Sequence, residues 1–153
     1  LWAQREATKK GLQQVLWLFG PDHQVTEVGT MNIFMFSKKP DGTLELATPP
    51  IADGLILPGT VRHSLLEMTR EWNEFEVVER VFRMGELEQL LAEDRIVEVF
   101  GAGTACVVCP VGEIHFQDRV LKLPPPSLSV RLLKELTDIQ YGVKTPHPWS
   151  MIV

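Results

Sequence analysis

Glu27 stands in Thr26-Glu27-Val28-Gly29-Thr30, within a run rich in β-branched and aromatic residues from Val25 to Ser37. In an extended chain Val25 and Glu27 share one face. If that face is covered, the carboxylate is partly desolvated and needs a cation or hydrogen-bond donors. If it is open, Glu27 is an ordinary strand glutamate. Pro58-Gly59-Thr60-Val61 opens a predicted helix with Thr60 as its N-cap. The free N–H groups and dipole at such an end suit a phosphate, although every helix has such an end. In Gly101-Ala102-Gly103-Thr104-Ala105 two glycines let the backbone approach a ligand closely, and Thr104 adds a hydroxyl. The segment is not a Walker loop, because no Gly-Lys-Ser/Thr ends it, and it lacks the third glycine of a dinucleotide fingerprint. A tight turn is the plain alternative.

Cys106-Val107-Val108-Cys109 is a C-x-x-C, a spacing that serves a dithiol or half of a zinc site. A structural zinc site needs about four ligands. His115 offers a third, but no second cysteine pair exists, and two packed core thiols are the alternative. His23, His63, His115 and His147 are dispersed and read as surface residues, whereas Met31, Met35 and Met68 read as core. No metal site is expected.

The elements that must position these residues are strands with a few helices. Trp2 to about Gln14 reads as a helix end leading into the apolar run Val15–Phe19, which Gly20-Pro21-Asp22 terminates. Strands are predicted on either side of Gly29. Pro40-Asp41-Gly42 is a turn that pairs the second of them with Leu44–Ala47. Val61, Leu65, Met68 and Trp72 recur at helical spacing. Phe75 to Arg83 reads as a strand and Glu86 to Glu93 as a short helix with acids at its positive end. Ile96–Phe100, Val107-Val108, Ile114–Phe116 and Val120–Leu123 read as further strands. After the stiff Pro124-Pro125-Pro126, Leu132, Leu133, Leu136 and Ile139 mark the stripe of a last helix ending near Gly142. This alternation predicts a mixed α/β domain over residues 1–153; the strand order does not follow from it.

Composition narrows the function classes. The 153 residues carry 44% hydrophobic and 23% charged residues, the balance of an ordinary globular domain. The net charge of −5 comes with no basic stripe, which speaks against nucleic acid as a partner. No apolar run reaches the roughly 18 residues of a membrane span. Two cysteines in one motif favour a reducing compartment over a disulfide framework. The opening Leu1-Trp2-Ala3 is read as that of a fragment or processed product, with any targeting segment expected upstream.

Taken in order and spacing, several strings resemble the branched-chain amino-acid aminotransferases, which are fold-type IV pyridoxal-phosphate enzymes. They are Val15 to Gln24, Thr26-Glu27-Val28-Gly29-Thr30-Met31-Asn32, Thr48-Pro49-Pro50, Leu57-Pro58-Gly59, Gly103-Thr104-Ala105-Cys106 and Ile139-Gln140-Tyr141-Gly142. The resemblance covers almost the whole chain and is weakest from Lys122 to Val130 and at the end. It implies the large C-terminal, cofactor-binding domain of such an enzyme, a barrel-like set of short strands with peripheral helices. Glu27 then matches the carboxylate facing the pyridine nitrogen of pyridoxal 5′-phosphate. The backbone at Thr60 and Val61, with the Thr104 hydroxyl, matches the phosphate cup, though Thr60 departs from the aliphatic residue common there. Thr30 and Ala105 match contacts to the substrate α-carboxylate, and Met31 lies near the side-chain pocket. Cys106 and Cys109 match a redox-responsive dithiol of animal members.

The implied reaction moves the amino group of leucine, isoleucine or valine to 2-oxoglutarate, in a homodimer located in cytoplasm or mitochondrion. It requires a Schiff-base lysine, expected upstream together with the small N-terminal domain. Lys9 and Lys10 lack that lysine's context and read as exposed helix charges. The chain alone is therefore expected to be inactive. A noncatalytic product that associates with intact subunits and a C-x-x-C redox module are the alternatives.

Overall fold

The computed structural model describes Trp2, Arg5 and residues 14–52, 54–104 and 106–140. The readings of Lys9, Lys10, Ala105, Tyr141, Gly142 and His147, and most of the first predicted helix, lie outside the described residues.

Among the described residues from Gln14 on, nine strands and three helices follow in the order β1 (Leu16–Phe19), β2 (Gln24–Val28), β3 (Met31–Lys38), β4 (Leu44–Thr48), α1 (Thr60–Trp72), β5 (Glu76–Glu79), α2 (Met84–Ala92), β6 (Ile96–Ala102), β7 (Val108–Pro110), β8 (Glu113–Phe116), β9 (Arg119–Lys122) and α3 (Leu128–Gln140). This is the expected mixed α/β class. β1 to β5 pair in sequence order, β6 adds to β3, and β7 adds to β6; β8 and β9 form a separate hairpin. The ladders are antiparallel except β4–β5, which α1 connects as a parallel crossover.

β3 is the hub. It pairs with β2 at its start, with β4 at its end and with β6 along most of its length. Residues Met31 to Ser37 are all buried, as a strand covered on both faces must be. Ile33 and Met35 turn toward one core with Val25, Phe82 and Leu87 of the α2 side. Phe34 and Phe36 turn toward the other, where Leu65 of α1 and Leu132 of α3 pack. Phe34 and Phe100, opposite each other in the β3–β6 register, stack with centroids 5.2 Å apart.

The segment predicted as one strand from Phe75 to Arg83 is shorter and divided. Only Glu76–Glu79 pairs with β4. Arg80 still donates its N–H to Thr48 O of β4 (2.9 Å), and its side chain bonds Glu45 and Glu86. The chain next bridges to β2, with Val25 N–H donating to Phe82 O (2.9 Å) and Met84 N–H to His23 O (3.0 Å). The sheet thereby curls back on itself, in keeping with the barrel-like expectation. α2 begins at Met84, two residues earlier than predicted. In α3 the buried stripe is Leu128, Leu132 and Leu136, whereas Leu133 is 42% exposed. The predicted stripe included Leu133 because spacing alone cannot say which of two adjacent leucines faces the sheet.

Candidate active site

β2 and β3 are joined by the two residues Gly29-Thr30, with Val28 opposite Met31. Gly29 has φ +59°, the conformation that the first position of a tight hairpin loop demands and glycine adopts without strain. β1 pins this loop: Gly29 N–H donates to Val15 O (2.7 Å), and Trp17 Nε1 donates to Gly29 O (3.1 Å). A register shift opposite Trp17 and Leu18 leaves Thr26 unpaired in the β1–β2 ladder, where its hydroxyl donates to Trp17 O (2.6 Å). The shift interrupts strict alternation, so Val25 and Thr26 are both buried while Glu27 is half-buried.

Glu27 lies directly opposite Asn32, and such cross-strand partners project to one face. Both side chains reach the backbone of Leu57, which precedes α1. Leu57 N–H donates to Glu27 Oε2 at 3.5 Å, and Asn32 Nδ2 donates to Leu57 O at 2.9 Å. α1 starts immediately afterwards. Its N-cap is Gly59 (φ −65°, ψ 142°), and no side chain caps it. This corrects the expectation that Thr60 is the cap. Thr60 is the first helical residue and exposed, because the turn at Pro58-Gly59 bends the chain one residue earlier. The first amides of the helix therefore lack both an intrahelical carbonyl and a capping side chain.

Arg62, on the first turn of α1, is only 4% exposed. Its Nη2 donates to Pro49 O (3.0 Å) and to Glu79 Oε1 (2.7 Å), which tethers the helix start to β4 and β5. The same Arg62 guanidinium, more than Arg70, holds the Glu79 carboxyl below its ordinary value against the opposing effect of burial.

The third segment arrives on β6. Ala102 pairs with Asn32 on the edge of β3 opposite Glu27, and Gly103-Thr104 follow. A Cβ at Gly103 would lie 2.8 Å from Met31 Cγ, so only glycine lets the chain pass here. A Cβ at Gly59 would lie 2.3 Å from Asn32 Oδ1. Glu27, Thr30 and Met31, the start of α1, and Gly103-Thr104 thus gather at one end of the sheet around Asn32. Thr30 and Thr104 are exposed there, Val61 is half-buried, and Met31 is buried at 8%.

Cys106 and Cys109 sit beside this end, both as free thiols. Cys109 pairs with Gly101 across β6–β7. Burial pushes its thiol up, and a hydrogen bond with Cys106 adds to the effect. On the α2 face a cavity of about 360 Å³ is lined by Leu16, Val28, Met31, Ile33, Cys109 and Ile114 among others. It touches Met31 and Cys109 but not Glu27, Thr60 or Thr104. His115 Nε2 lies 3.1 Å from Glu113 Oε1, and His23 packs edge-on against Phe116.

Asn32 and Arg62 carry structural roles that were not assigned from sequence. The signal was present in both: a polar residue at a position where β3 alternation calls for an apolar one, and an arginine next to the apolar stripe of α1.

The chain matches the model of the amino-transferase class IV family over residues 1–114. The chain belongs to that family. It is 56% identical over 154 residues to the mitochondrial branched-chain-amino-acid aminotransferase of Rattus norvegicus, an alignment covering 98% of this chain and 39% of the relative. The cytosolic branched-chain-amino-acid aminotransferase of Mus musculus is 53% identical over 155 residues, covering 99% and 40%. Among solved structures, the branched-chain amino acid aminotransferase of Thermobaculum terrenum in its PLP-form superposes with a TM-score of 0.72 at 27% identity, over 93% of this chain and 42% of that one. The Escherichia coli enzyme superposes with a TM-score of 0.73 at 23% identity, over 96% and 44%, a likeness of fold. The chain spans about two-fifths of the length of the curated relatives it matches.

Proposed function

We propose that this chain is the cofactor-holding part of a branched-chain amino-acid transaminase that moves the amino group of leucine, isoleucine or valine to 2-oxoglutarate with pyridoxal 5′-phosphate. The carrying observation is the convergence of Glu27, the bare start of α1 and Gly103-Thr104 at one rim of the sheet, in a chain about half identical to aminotransferases of that name.

The residues present fit the cofactor. Glu27 is a half-buried carboxylate whose one hydrogen bond among the described residues is the long one from Leu57 N–H, so it has capacity for a cationic N–H. The first amides of α1 suit a phosphate dianion by direction and by dipole. Gly59 and Gly103 keep side chains out of the space between. When bound, pyridoxal phosphate supplies an electron sink for the substrate α-carbon. Glu27 would hold the proton on the pyridine nitrogen. The Thr60 and Val61 amides and the Thr104 hydroxyl would bind the phosphate. Thr30 and Ala105 would orient the substrate carboxylate, and Met31 would border its side chain.

The lysine that anchors the cofactor and moves the proton, together with the small domain that closes the site, belongs in this reading to an upstream part of the same protein, which acts as a homodimer. The intact protein, extended upstream through that lysine, is expected to convert 2-oxoglutarate to glutamate in a leucine-dependent assay. An intact protein that binds pyridoxal phosphate yet gives no glutamate would remove the assignment. The C-x-x-C redox module is kept as the alternative reading, because Cys106 and Cys109 are both free thiols beside the rim; an intramolecular disulfide found by mass spectrometry after mild peroxide treatment would support it, and thiols that stay free in the folded protein would remove it.

A further inference from the structure

We propose that Asn32 is a positioning residue for the cofactor, because it locks the carboxylate of Glu27 and the amide-bearing end of α1 into one rigid unit. The inference rests on the cofactor reading above.

Asn32 occupies the one ladder position that touches every segment of the rim. Its backbone has Glu27 opposite it on one side and Ala102, the residue before Gly103, on the other. Its side chain crosses to the third segment, donating from Nδ2 to Leu57 O (2.9 Å) while Oδ1 rests against Gly59. The residue is 5% exposed, and a buried amide is costly unless its polar atoms are used. Phe34 and Phe36, two and four residues on, fill the same face of β3 with apolar volume. Apolar packing would serve stability at position 32 equally well; the amide adds a hydrogen bond to the loop that leads into α1.

The consequence is a closed loop of contacts. Leu57 is held at both backbone groups by a cross-strand pair, its N–H by Glu27 and its C=O by Asn32. Three residues later the helix begins. The distance between the pyridine-facing carboxylate and the phosphate-facing amides is therefore set through Leu57, and Asn32 supplies the shorter of the two bonds that set it. Gly59 is part of the lock. Its φ and ψ are open to any residue, so what excludes a larger one is the Asn32 side chain, 2.3 Å from where a Cβ would stand.

The test uses the intact protein and Asn32→Leu, which keeps the volume and deletes the donor. The dissociation constant for pyridoxal phosphate should rise by about tenfold, the effect of one lost hydrogen bond in a preorganised site. The induced circular dichroism of the bound cofactor at saturation should weaken, because the cofactor is held less rigidly. A residue with a merely structural role would lower the unfolding midpoint and leave that amplitude intact. Wild-type affinity and amplitude in Asn32→Leu would overturn the inference. If that variant does not fold, Gly59→Ala presses on Asn32 from the other side and should produce the same two changes; wild-type values there also overturn it. Glu27→Gln separates the two layers of argument. If it perturbs the bound cofactor's spectrum while Asn32→Leu does not, only the role of Asn32 fails. If the wild-type protein takes up no pyridoxal phosphate, the cofactor reading fails and this one with it.

Discussion

At Thr60 the side chain and the backbone can be tested apart. Thr60 is the first residue of α1, not its cap, and its side chain is exposed. Thr60→Ala should therefore leave pyridoxal-phosphate affinity of the intact protein nearly unchanged. Thr60→Pro is the informative substitution. Proline is favoured at the first helical position, where its fixed φ fits and no intrahelical bond is lost, and the extended ψ of Gly59 accepts a following proline. The helix should survive and one phosphate-facing amide should disappear. Affinity is expected to fall by roughly tenfold to a hundredfold, the range for a hydrogen bond to a charged group. Equilibrium dialysis checks it, and equal affinity in the two variants would move the phosphate elsewhere. This distinction was not legible from Pro-Gly-Thr-Val, because capping preference pointed to the threonine, whereas the bend falls at Gly59. The carboxylate was legible: a glutamate next to Val28-Gly29-Thr30 in a β-rich run advertises a strand end beside a tight turn. What sequence could not supply was its partner, since Leu57 is 30 positions away.

On the scale of elements, the start of α1 is held by Arg62 as well as by Asn32. The buried guanidinium bonds Pro49 O and Glu79, and Arg70, about two turns further on, bonds the other oxygen of Glu79. α1 is thereby fastened to the parallel pair β4–β5 it connects. The two arginines keep Glu79 ionised to lower pH than its ordinary value of 4.5, with Arg62 the main cause. A carboxylate with a depressed folded pKa contributes stability that is present above its unfolded value and is lost as pH falls through the folded one. Glu79→Gln should therefore cost about 1 kcal/mol at pH 7, a figure kept small because the carboxylate is partly exposed and screened. The difference from wild type should close as the pH falls below the ordinary carboxylate value of 4.5. Urea unfolding at neutral and at acid pH checks it, and a gap that persists in acid would assign the loss to packing. The hairpins and the helices themselves were readable from turn residues and periodicity. The β5 segment was read as one long strand because Phe75 to Arg83 contains no breaker; past Arg80, whose N–H makes the last bond to β4 at Thr48 O, the chain turns to bridge β2 at Gln24, nearly 60 positions away in sequence.

Taken whole, the chain is a curled sheet with α1 and α3 on one face and α2 on the other, organised around β3. Its strand order was not legible, because β3 takes three partners and the pairing with β6 joins residues 59 to 70 positions apart. The rim that gathers Glu27, the start of α1 and Gly103-Thr104 exists only through that pairing, and so order and spacing along the chain pointed to the family before any single motif did. The molecule also has surface that asks for a cover. Among the described residues β1 pairs with β2 alone, and it exposes Trp17 at 41% and Phe19 at 52%, with Leu57 at 71% near the rim. An open edge flanked by large apolar side chains favours association. In the proposed intact protein this surface is covered by the upstream part or by the second subunit. The 153-residue chain prepared alone is therefore expected to sediment as a self-associated species and to show no leucine-dependent turnover. Measurable turnover would mean that a lysine within this chain serves the reaction. A clean monomer over a wide concentration range would mean that the exposed edge is compatible with water as it stands and needs no cover.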